Sequence, residues 1–232
     1  MPRITNVLHR FFPVLGAVQE KSLPAHDVTA FASEFDLAPM QVIQDAPVWM
    51  TRAERLLMYT LAFTLRPSRY LEIGTFQGGS ALVVGAALDA LQSESQMVCV
   101  DPKWNVAPEN WEKIKHRATF IEGYSPDVLP KAVEAAKGKF DLVLIDGDHT
   151  YKGVLRDARG VLPHITKNAY ILFHDSYFPD VARGLNQFAN ENAHQLVDFG
   201  TLTREITVHE NEDNPNQKTR WGGLRMMQMR QS

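Results

Sequence analysis

Short apolar runs alternate with amphipathic stretches through the middle of the chain. The apolar runs end near Ile73, Asp101, Ile121, Ile145 and His174, and each has the length of a strand that is buried on both faces. The stretches between these runs have the length and the periodicity of helices. Strands that alternate with helices predict a parallel, doubly wound α/β sheet.

Helices are expected where the apolar positions recur with helical spacing. The predicted helices cover about residues 51–66, 80–91, 108–115, 127–136, 151–162 and 180–190. Thr51 and Glu54 have the spacing of a capping box at the start of the first. Ser125 is expected to be the N-cap of the fourth helix, and Gly138 to follow its end.

The tail of the chain has a different pattern. Two strand-like runs, at residues 196–206 and 223–229, have no helical stretch between them, which predicts a C-terminal antiparallel strand pair. Residues 211–218 are rich in Asn, Asp and Pro and are expected to be the loop that joins the pair. Together with five parallel strands, this predicts a seven-stranded, mostly parallel sheet in a domain over residues 49–232. Residues 1–48 are expected to form an N-terminal extension, serving as a lid or an oligomer contact.

The composition excludes several classes of protein. Of the 232 residues, 44% are hydrophobic, which is enough for a full core, and the net charge of -3 without a basic run disfavours nucleic-acid partners. No stretch approaches the roughly 20 apolar residues of a membrane span. The apolar residues 11–18 are interrupted by Pro13 and lack a cleavage site, so we expect a cytoplasmic protein in which this segment packs on the domain or forms a homodimer. Cys99, the single cysteine, is expected to be buried and inert.

The end of the first predicted strand carries the first functional signal. An acidic residue and spaced glycines precede a helix, and the candidate cofactor-binding residues are Glu72, Gly74, Thr75, Gly78 and Ser80. Glycines let the backbone approach a ligand, and a helix N-terminus offers free N–H groups. The segment lacks the second glycine of the dinucleotide fingerprint and the lysine of a P-loop. A glycine-rich turn that binds no ligand has the same pattern.

Further candidates follow the next two strands. Asp101 ends the second strand, where a carboxylate can accept hydrogen bonds from both hydroxyls of a ribose. Tyr124 and Ser125 follow the third strand and are expected to border an adenine ring. A helix cap or a solvated loop charge is the alternative for Asp101.

The fourth and fifth strands end in titratable residues. Asp146, Asp148 and His149 follow the fourth strand, and His174 and Asp175 follow the fifth. Because carboxyl ends of parallel strands meet at one edge of a sheet, two carboxylates can bind a divalent cation between them, with His149 as a general base. In the alternative, Asp148 caps the next helix and His149 is solvated.

These motifs resemble the small, metal-dependent O-methyltransferase branch of the class I S-adenosyl-L-methionine (SAM) methyltransferases, which includes catechol-type and macrolide-sugar-type enzymes. The resemblance covers about residues 50–232, and an antiparallel pair after five parallel strands is typical of that class. It implies that residues 72–80 hold the methionine part of SAM, with Ser80 at its carboxylate, and that Asp101 binds the ribose. It also implies that Asp146 is the first metal ligand, beside the cofactor, and that His149 is the catalytic base.

The resemblance is incomplete at the fifth strand. The family usually ends this strand in Asp-Asn or Glu-Asp, whereas this chain has His174 and Asp175 followed by Ser176. The implied metal ligands are therefore Asp146, Asp175 and His174. The implied ion is magnesium or manganese, although an imidazole ligand favours an ion softer than magnesium. A metal-free variant in which His149 acts alone stays open.

The sequence thus predicts methyl transfer from SAM to a hydroxyl oxygen of a small molecule, a sugar or another natural product, with a catechol as the alternative acceptor. Two other functions remain possible: a nicotinamide-dependent oxidoreductase and a non-catalytic SAM-binding module. The methyltransferase interpretation requires that Glu72, Asp101, Asp146 and Asp175 surround a shared cavity.

Overall fold

The computed structural model describes residues 37–211 and 214–230. A short 3-10 turn, Ala38–Gln41, precedes the first helix, and another, Leu162–His164, precedes the fifth strand. The helices are α1 (Val42–Asp45), α2 (Arg52–Leu65), α3 (Gly79–Ala90), α4 (Pro108–Ile114), α5 (Leu129–Ala135), α6 (Tyr151–Val161) and α7 (Pro179–Glu191). None of the helices in these residues is long and apolar enough to cross a membrane.

The strands form one large sheet and a separate hairpin. They are β1 (Arg69–Ile73), β2 (Gln96–Asp101), β3 (Ala118–Glu122), β4 (Phe140–Ile145), β5 (Ile165–Phe173), β6 (Leu196–Thr201), β7 (Thr207–Asn211), β8 (Asn214–Trp221) and β9 (Arg225–Met229). The seven-stranded sheet has the order β3-β2-β1-β4-β5-β9-β6. The strands β1 to β5 pair in parallel, and β9 pairs antiparallel with both β5 and β6.

Both faces of the sheet are covered, because successive side chains of a strand point to opposite faces. In β1, Leu71 and Ile73 belong to the core under α5, α6 and α7, whereas Tyr70 belongs to the core under α2, α3 and α4. Strand β4 divides in the same way, with Val143 on one face and Leu144 on the other. This double burial explains why the strands read as continuous apolar runs.

The predicted fold class is confirmed, and the parallel strands end within a residue of the predicted positions. Two local predictions are wrong. Residues 214–218, expected in a loop, belong to β8, which ends at Trp221. The N-cap of α5 is Val128 rather than Ser125, because the helix begins at Leu129.

The predicted N-terminal extension lies mostly outside the described residues, which begin at residue 37. Its described part, residues 37–48, packs on the domain, and Ala46 belongs to the core under α2, α3 and α4 together with Met50. The predicted capping box is present at the start of α2, where the Thr51 hydroxyl accepts from the Glu54 N–H and the Glu54 carboxylate accepts from the Thr51 N–H.

Candidate active site

Gly74 lets the ends of β1 and β4 approach closely. Its φ is +90°, and a Cβ at this position would lie 2.1 Å from the carbonyl oxygen of Asp146. Any other residue would therefore push the two strand ends apart. Gly78, at the N-cap of α3, has a φ of +80° and no side chain to cap the helix, so the first N–H groups of α3 receive no side-chain cap.

Three of the residues predicted to hold the cofactor are buried beneath this turn. Glu72 is 0% exposed, and Thr75 and Ser80 are nearly as buried. The Tyr70 hydroxyl donates to Glu72 Oε2 at 2.7 Å, and Glu72 Oε1 has no hydrogen-bond partner. Burial raises the pKa of Glu72 to about 8, although the hydrogen bond from Tyr70 opposes the increase.

Asp101 lies at the carboxyl end of β2 and orders the turn that follows β1. Its Oδ2 accepts from the Phe76 N–H at 2.9 Å, and its Oδ1 accepts from the Lys103 N–H at 3.1 Å. Each carboxylate oxygen has further acceptor capacity for a ligand.

A cavity of about 380 Å³ opens at this edge of the sheet, and we call it the first cavity. Five of the predicted cofactor residues line it, namely Gly74, Asp101, Tyr124, Ser125 and Asp146. Sequence reasoning missed Arg156 and Asp157, which also line it and which come from α6. Asp157 is buried beside Arg156, whose Nε donates to it at 3.1 Å.

Three titratable residues converge where β4 and β5 end. His149 Nε2 lies 2.9 Å from Asp175 Oδ2 and 3.4 Å from Asp146 Oδ1. Within the described residues, potential ligand atoms of Asp146, His149 and Asp175 all lie within 4.8 Å of one another, a spacing that can hold a metal ion. We call these three residues the acid–imidazole cluster.

His174 lies behind this cluster rather than in it. Its side chain is 4% exposed, its Nδ1 lies 3.0 Å from Asp146 Oδ1, and its Nε2 lies 3.4 Å from Glu54 Oε2. Glu54 is itself fully buried, and it accepts from the Gly223 N–H as well as capping α2. His174, predicted to be a metal ligand, thus links Asp146 to Glu54. Sequence reasoning identified Glu54 only as part of a helix cap.

Asp148 does not join the cluster. Its Oδ1 accepts from the Thr150 N–H at 2.8 Å, and its other oxygen faces Arg156. Thr150 is the N-cap of α6 and accepts from the Gly153 N–H. Asp148 therefore orders the turn before α6, close to the alternative that the sequence left open for it.

The electrostatics of the cluster are set by its close packing. Burial disfavours the charged form of His149, but hydrogen bonds and charges from Asp146 and Asp175 outweigh it and raise its pKa to about 9. The pKa of Asp175 is lowered well below its usual range, because the hydrogen bonds from the two imidazoles outweigh its burial. Burial also opposes the charged form of Asp146, but the charge of His174 and hydrogen bonds from both imidazoles outweigh it and lower the pKa of Asp146. The cluster therefore attracts positive charge.

A second and larger cavity, of about 960 Å³, opens on the other side of Asp175. Residues 48–51 and α2 line one side of it, and the β7–β8 hairpin lines the other. Trp221, at the end of β8, stacks on Phe178 with ring centroids 4.3 Å apart and meets the His149 ring edge-on at 5.4 Å. The acid–imidazole cluster therefore lies between the two cavities, with Asp146 lining the first and Asp175 lining the second.

Comparisons with known proteins agree with this arrangement. Residues 71–176, which run from within β1 to just beyond β5, match a family described as a methyltransferase domain. A segment of 125 residues is 30% identical to uncharacterized protein R132 of Acanthamoeba polyphaga mimivirus. That match covers 46% of this chain and 50% of the viral protein, so the chain matches about half the length of this relative.

Solved structures match over almost the whole chain. The O-methyltransferase TomG of Streptomyces achromogenes, solved in complex with SAM, is 17% identical and has a TM-score of 0.59, with 97% of this chain and 96% of TomG covered. An O-methyltransferase of Bacillus cereus, in complex with SAH, is 16% identical and has a TM-score of 0.60, with 97% of each chain covered. The chain has the class I methyltransferase fold.

The predicted class I methyltransferase fold is thereby confirmed. The precorrin-6y C5,15-methyltransferase of Geobacter metallireducens also matches, with a TM-score of 0.55 at 11% identity, over 80% of this chain and 91% of that chain. Its name differs from those of the O-methyltransferases, so this fold serves more than one kind of acceptor. The acceptor atom must consequently be argued from the site rather than from the fold.

Of the four carboxylates expected around one cavity, Asp101 and Asp146 line the first cavity and Asp175 lines the second. Glu72 is buried beneath the turn after β1 and lines neither of them. The expectation that the four carboxylates surround one shared cavity is therefore wrong, because the acid–imidazole cluster separates the cavity of Asp101 and Asp146 from the cavity of Asp175. The roles predicted for the individual residues remain predictions.

Proposed function

We propose that this protein is a SAM-dependent methyltransferase that transfers the methyl group to a hydroxyl oxygen of a small molecule, assisted by a divalent cation. The observation that carries the proposal is the position of the acid–imidazole cluster between two cavities. One cavity is bordered by the strand ends that bind nucleosides in doubly wound folds, and the other has room for an acceptor. The site of proton transfer lies where the two ligands would meet.

In this proposal, the first cavity holds SAM. Asp101 accepts hydrogen bonds from the ribose hydroxyls, Tyr124 and Ser125 border the adenine, and the uncapped N-terminus of α3 receives the methionine carboxylate. The neighbours TomG and the Bacillus cereus enzyme, solved with SAM and SAH, support this choice of cofactor. An antiparallel strand next to β5 also distinguishes the sheet from that of nicotinamide-dependent dehydrogenases.

The cluster has the donor atoms that a divalent cation requires. Asp146 and Asp175 each offer a carboxylate oxygen, and His149 and His174 each place a nitrogen beside those oxygens. We propose that the two carboxylates hold the cation, and their oxygen atoms suit either magnesium or manganese. A cation at this position supplies positive charge that lowers the pKa of the acceptor hydroxyl.

His149 is proposed to accept the proton from that hydroxyl. Asp146 and Asp175 favour the protonated imidazole less once a cation balances their charge, so His149 can then act as a base near neutral pH. Methyl transfer is an in-line displacement, and the residues of the two cavities contribute by holding oxygen, methyl carbon and sulfur in line.

The acceptor is proposed to be a small molecule, a sugar or another natural product, rather than a nucleic acid. A net charge of -3 gives no attraction to phosphate backbones. The described involvement of TomG in tomaymycin synthesis supports a natural-product acceptor. A cytoplasmic location and a homodimer remain parts of the same proposal.

Calorimetric titration with SAM tests the cofactor assignment. We expect binding, and we expect Asp101→Asn to weaken it by about tenfold to a hundredfold, as loss of a charged hydrogen-bond acceptor does. Asp45→Asn, at an exposed position at the end of α1, is the matched control and should leave SAM affinity unchanged. Binding of NADH in place of SAM would overturn the assignment in favour of an oxidoreductase.

Two measurements test the roles within the cluster. Asp146→Ala should abolish SAH formation, and EDTA treatment should do so reversibly, with manganese restoring the rate. His149→Gln should lose turnover while it keeps its manganese affinity, since the variant removes the base but neither carboxylate. If His149→Gln loses manganese affinity to the same extent as Asp175→Asn, His149 is a metal ligand instead. Full activity in the presence of EDTA would reject the role of the cation.

A further inference from the structure

A buried chain of contacts lies behind the acid–imidazole cluster, and the proposed reaction does not use it. The side chain of His174 is 4% exposed, and each of its two ring nitrogens lies beside a carboxylate. Its Nδ1 lies 3.0 Å from Asp146 Oδ1 and 3.4 Å from Asp175 Oδ2. Its Nε2 lies 3.4 Å from Glu54 Oε2. His174 is thus held between the cluster and Glu54.

Glu54 is fixed in place by backbone N–H groups from two distant segments of the chain. Its Oε2 accepts from the Thr51 N–H at 2.6 Å, and its Oε1 accepts from the Gly223 N–H. The side chain is fully buried, so these contacts leave it no freedom to turn toward solvent. A carboxylate has only acceptor atoms, and Glu54 therefore presents an acceptor to His174.

The connection from β8 to β9 ties Glu54 to the acid–imidazole cluster a second time. The Gly222 N–H donates to Asp175 Oδ1 at 2.5 Å, and the next N–H, that of Gly223, donates to Glu54. Both glycines have a φ of +91°, and a Cβ on Gly223 would lie 2.5 Å from the ring of Tyr177. This position therefore requires glycine. Two successive N–H groups of one bend thus hold both Glu54 and a carboxylate of the cluster.

The surroundings of the two nitrogens assign the tautomer of His174. Because Glu54 is an acceptor, the proton of the neutral ring belongs on Nε2, and Nδ1 keeps its lone pair. This lone pair faces oxygens of Asp146 and Asp175, which are acceptors as well. Three acceptor atoms turned toward one another repel unless a positive charge lies among them. An imidazole that binds a metal commonly has a carboxylate on its other nitrogen, as His174 has here.

We propose that Glu54 is a positioning residue for the cation of the acid–imidazole cluster: it holds the Nε2 proton of His174 and so presents Nδ1 to the cation as a third donor beside the two carboxylates. The inference rests on the proposed methyltransferase function and adds to it a residue that acts on the cation through His174. A nitrogen donor contributes more to the affinity for manganese than to that for magnesium. Loss of Glu54 should consequently change the selectivity of the site as well as its affinity.

Calorimetric titrations with manganese and with magnesium test this role on the full chain saturated with SAH. Glu54→Gln should weaken manganese binding by about tenfold or more, as loss of the outer partner of a metal ligand does. Magnesium binding should change by less than about threefold, since magnesium relies on oxygen donors. Asp141→Asn is the matched control and should leave both affinities unchanged. Asp141 also accepts from two backbone N–H groups, those of Ser68 and Arg69, but it lies near the start of β4, away from the cluster.

A double-mutant cycle tests whether Glu54 acts through His174. His174→Asn removes both ring nitrogens and should show the same selective loss of manganese affinity. In the His174→Asn background, Glu54→Gln should change manganese affinity by less than about twofold, because its partner is already absent. Glu54→Asp keeps the charge but shortens the side chain by one methylene group, so it should also lose manganese affinity if position matters. The same cycle is run with Glu54→Asp if Glu54→Gln fails to bind SAH.

The outcomes separate this inference from the function on which it rests. Unchanged manganese affinity in Glu54→Gln, an equal loss for the two ions, or an equal loss in Asp141→Asn would overturn the positioning role and leave methyl transfer standing. An equal effect of Glu54→Gln with and without His174 would overturn it as well. If the unmodified chain binds SAH but neither ion, the cation fails as part of the proposed function, and the role of Glu54 fails with it. If SAH itself does not bind, the methyltransferase function fails.

Discussion

The buried carboxyl group of Glu72 should make the stability of this protein fall as the pH rises. Glu72 is fully buried in β1, and burial raises its pKa from 4.5 to about 8. Between these two values the folded protein keeps a proton that the unfolded chain has released. The folded state therefore binds more protons in this range, and its free energy of unfolding decreases as the pH rises.

The magnitude follows from the difference between the two pKa values. Each pH unit corresponds to about 1.4 kcal/mol, so the change from pH 4.5 to pH 8 is about 5 kcal/mol from this group alone. Glu72→Gln keeps the shape of the side chain and an oxygen for the Tyr70 hydroxyl, but it does not titrate. The variant should gain stability relative to the unmodified protein by about 1.4 kcal/mol per pH unit between pH 5 and pH 8.

Urea unfolding of the cofactor-free protein at pH 5, 6, 7 and 8 measures this difference, because the transition midpoint and slope give the free energy of unfolding at each pH. Glu94→Gln, at an exposed position, is the matched control and should run parallel to the unmodified protein. Parallel curves for Glu72→Gln and the unmodified protein across this range would refute the reasoning, because they would mean that Glu72 titrates in the fold as it does in water.

Three further predictions concern packing and turnover. Gly74→Ala should destabilise the fold by more than about 2 kcal/mol in urea unfolding, because its Cβ would lie 2.1 Å from the Asp146 carbonyl oxygen. Gly200→Ala is the control and should cost only about 1 kcal/mol, since Gly200 also has a positive φ but its Cβ would have nothing within 4 Å. Equal losses of stability in the two variants would contradict the collision at Gly74. Arg55→Lys should lower the free energy of unfolding by about 2 kcal/mol, because it removes several hydrogen bonds to backbone carbonyls. Arg159→Lys is the control and should change the free energy of unfolding by less than about 1 kcal/mol, since Arg159 forms an exposed ion pair with Glu191. Equal losses of stability in the two variants would mean that the Arg55 contacts are unimportant. Asp175→Asn should reduce SAH formation by about a hundredfold or more. The affinity for SAM should persist in this variant, since Asp175 lines the second cavity and not the first. Loss of SAM affinity would contradict the division between the two cavities.

The parallel part of the sheet was predictable because its strands are buried on both faces. Such strands read as continuous apolar runs, and the runs that end at Ile73, Asp101 and Ile145 are examples. The convergence of Asp146, His149 and Asp175 was predictable for the same reason, since adjacent parallel strands deliver their carboxyl ends to one edge.

The β7–β8 hairpin could not be predicted in this way. It is a two-stranded sheet outside the main one, and residues 214–218 are polar and include Pro215, so the pattern resembles a loop. Cross-strand backbone pairing formed the strands against this local preference. The role of Trp221 at the second cavity depends on that hairpin, and it was missed with it.

Contacts between distant parts of the chain were also invisible in the sequence. The spacing of Thr51 and Glu54 revealed the capping box, but the same carboxylate accepts from Gly223, 169 residues further along the chain. Such a contact depends on the complete fold. Glu54 therefore looked like an ordinary helix cap, although it is a buried partner of His174.

The order of strands in the sheet has a consequence for its closure. Within the described residues, strand β6 joins the sheet through β9 alone, although β9 follows the whole β7–β8 hairpin in the chain. Detachment of β9 would leave β6 without a neighbour and would expose the unpaired outer edge of β5 to other chains.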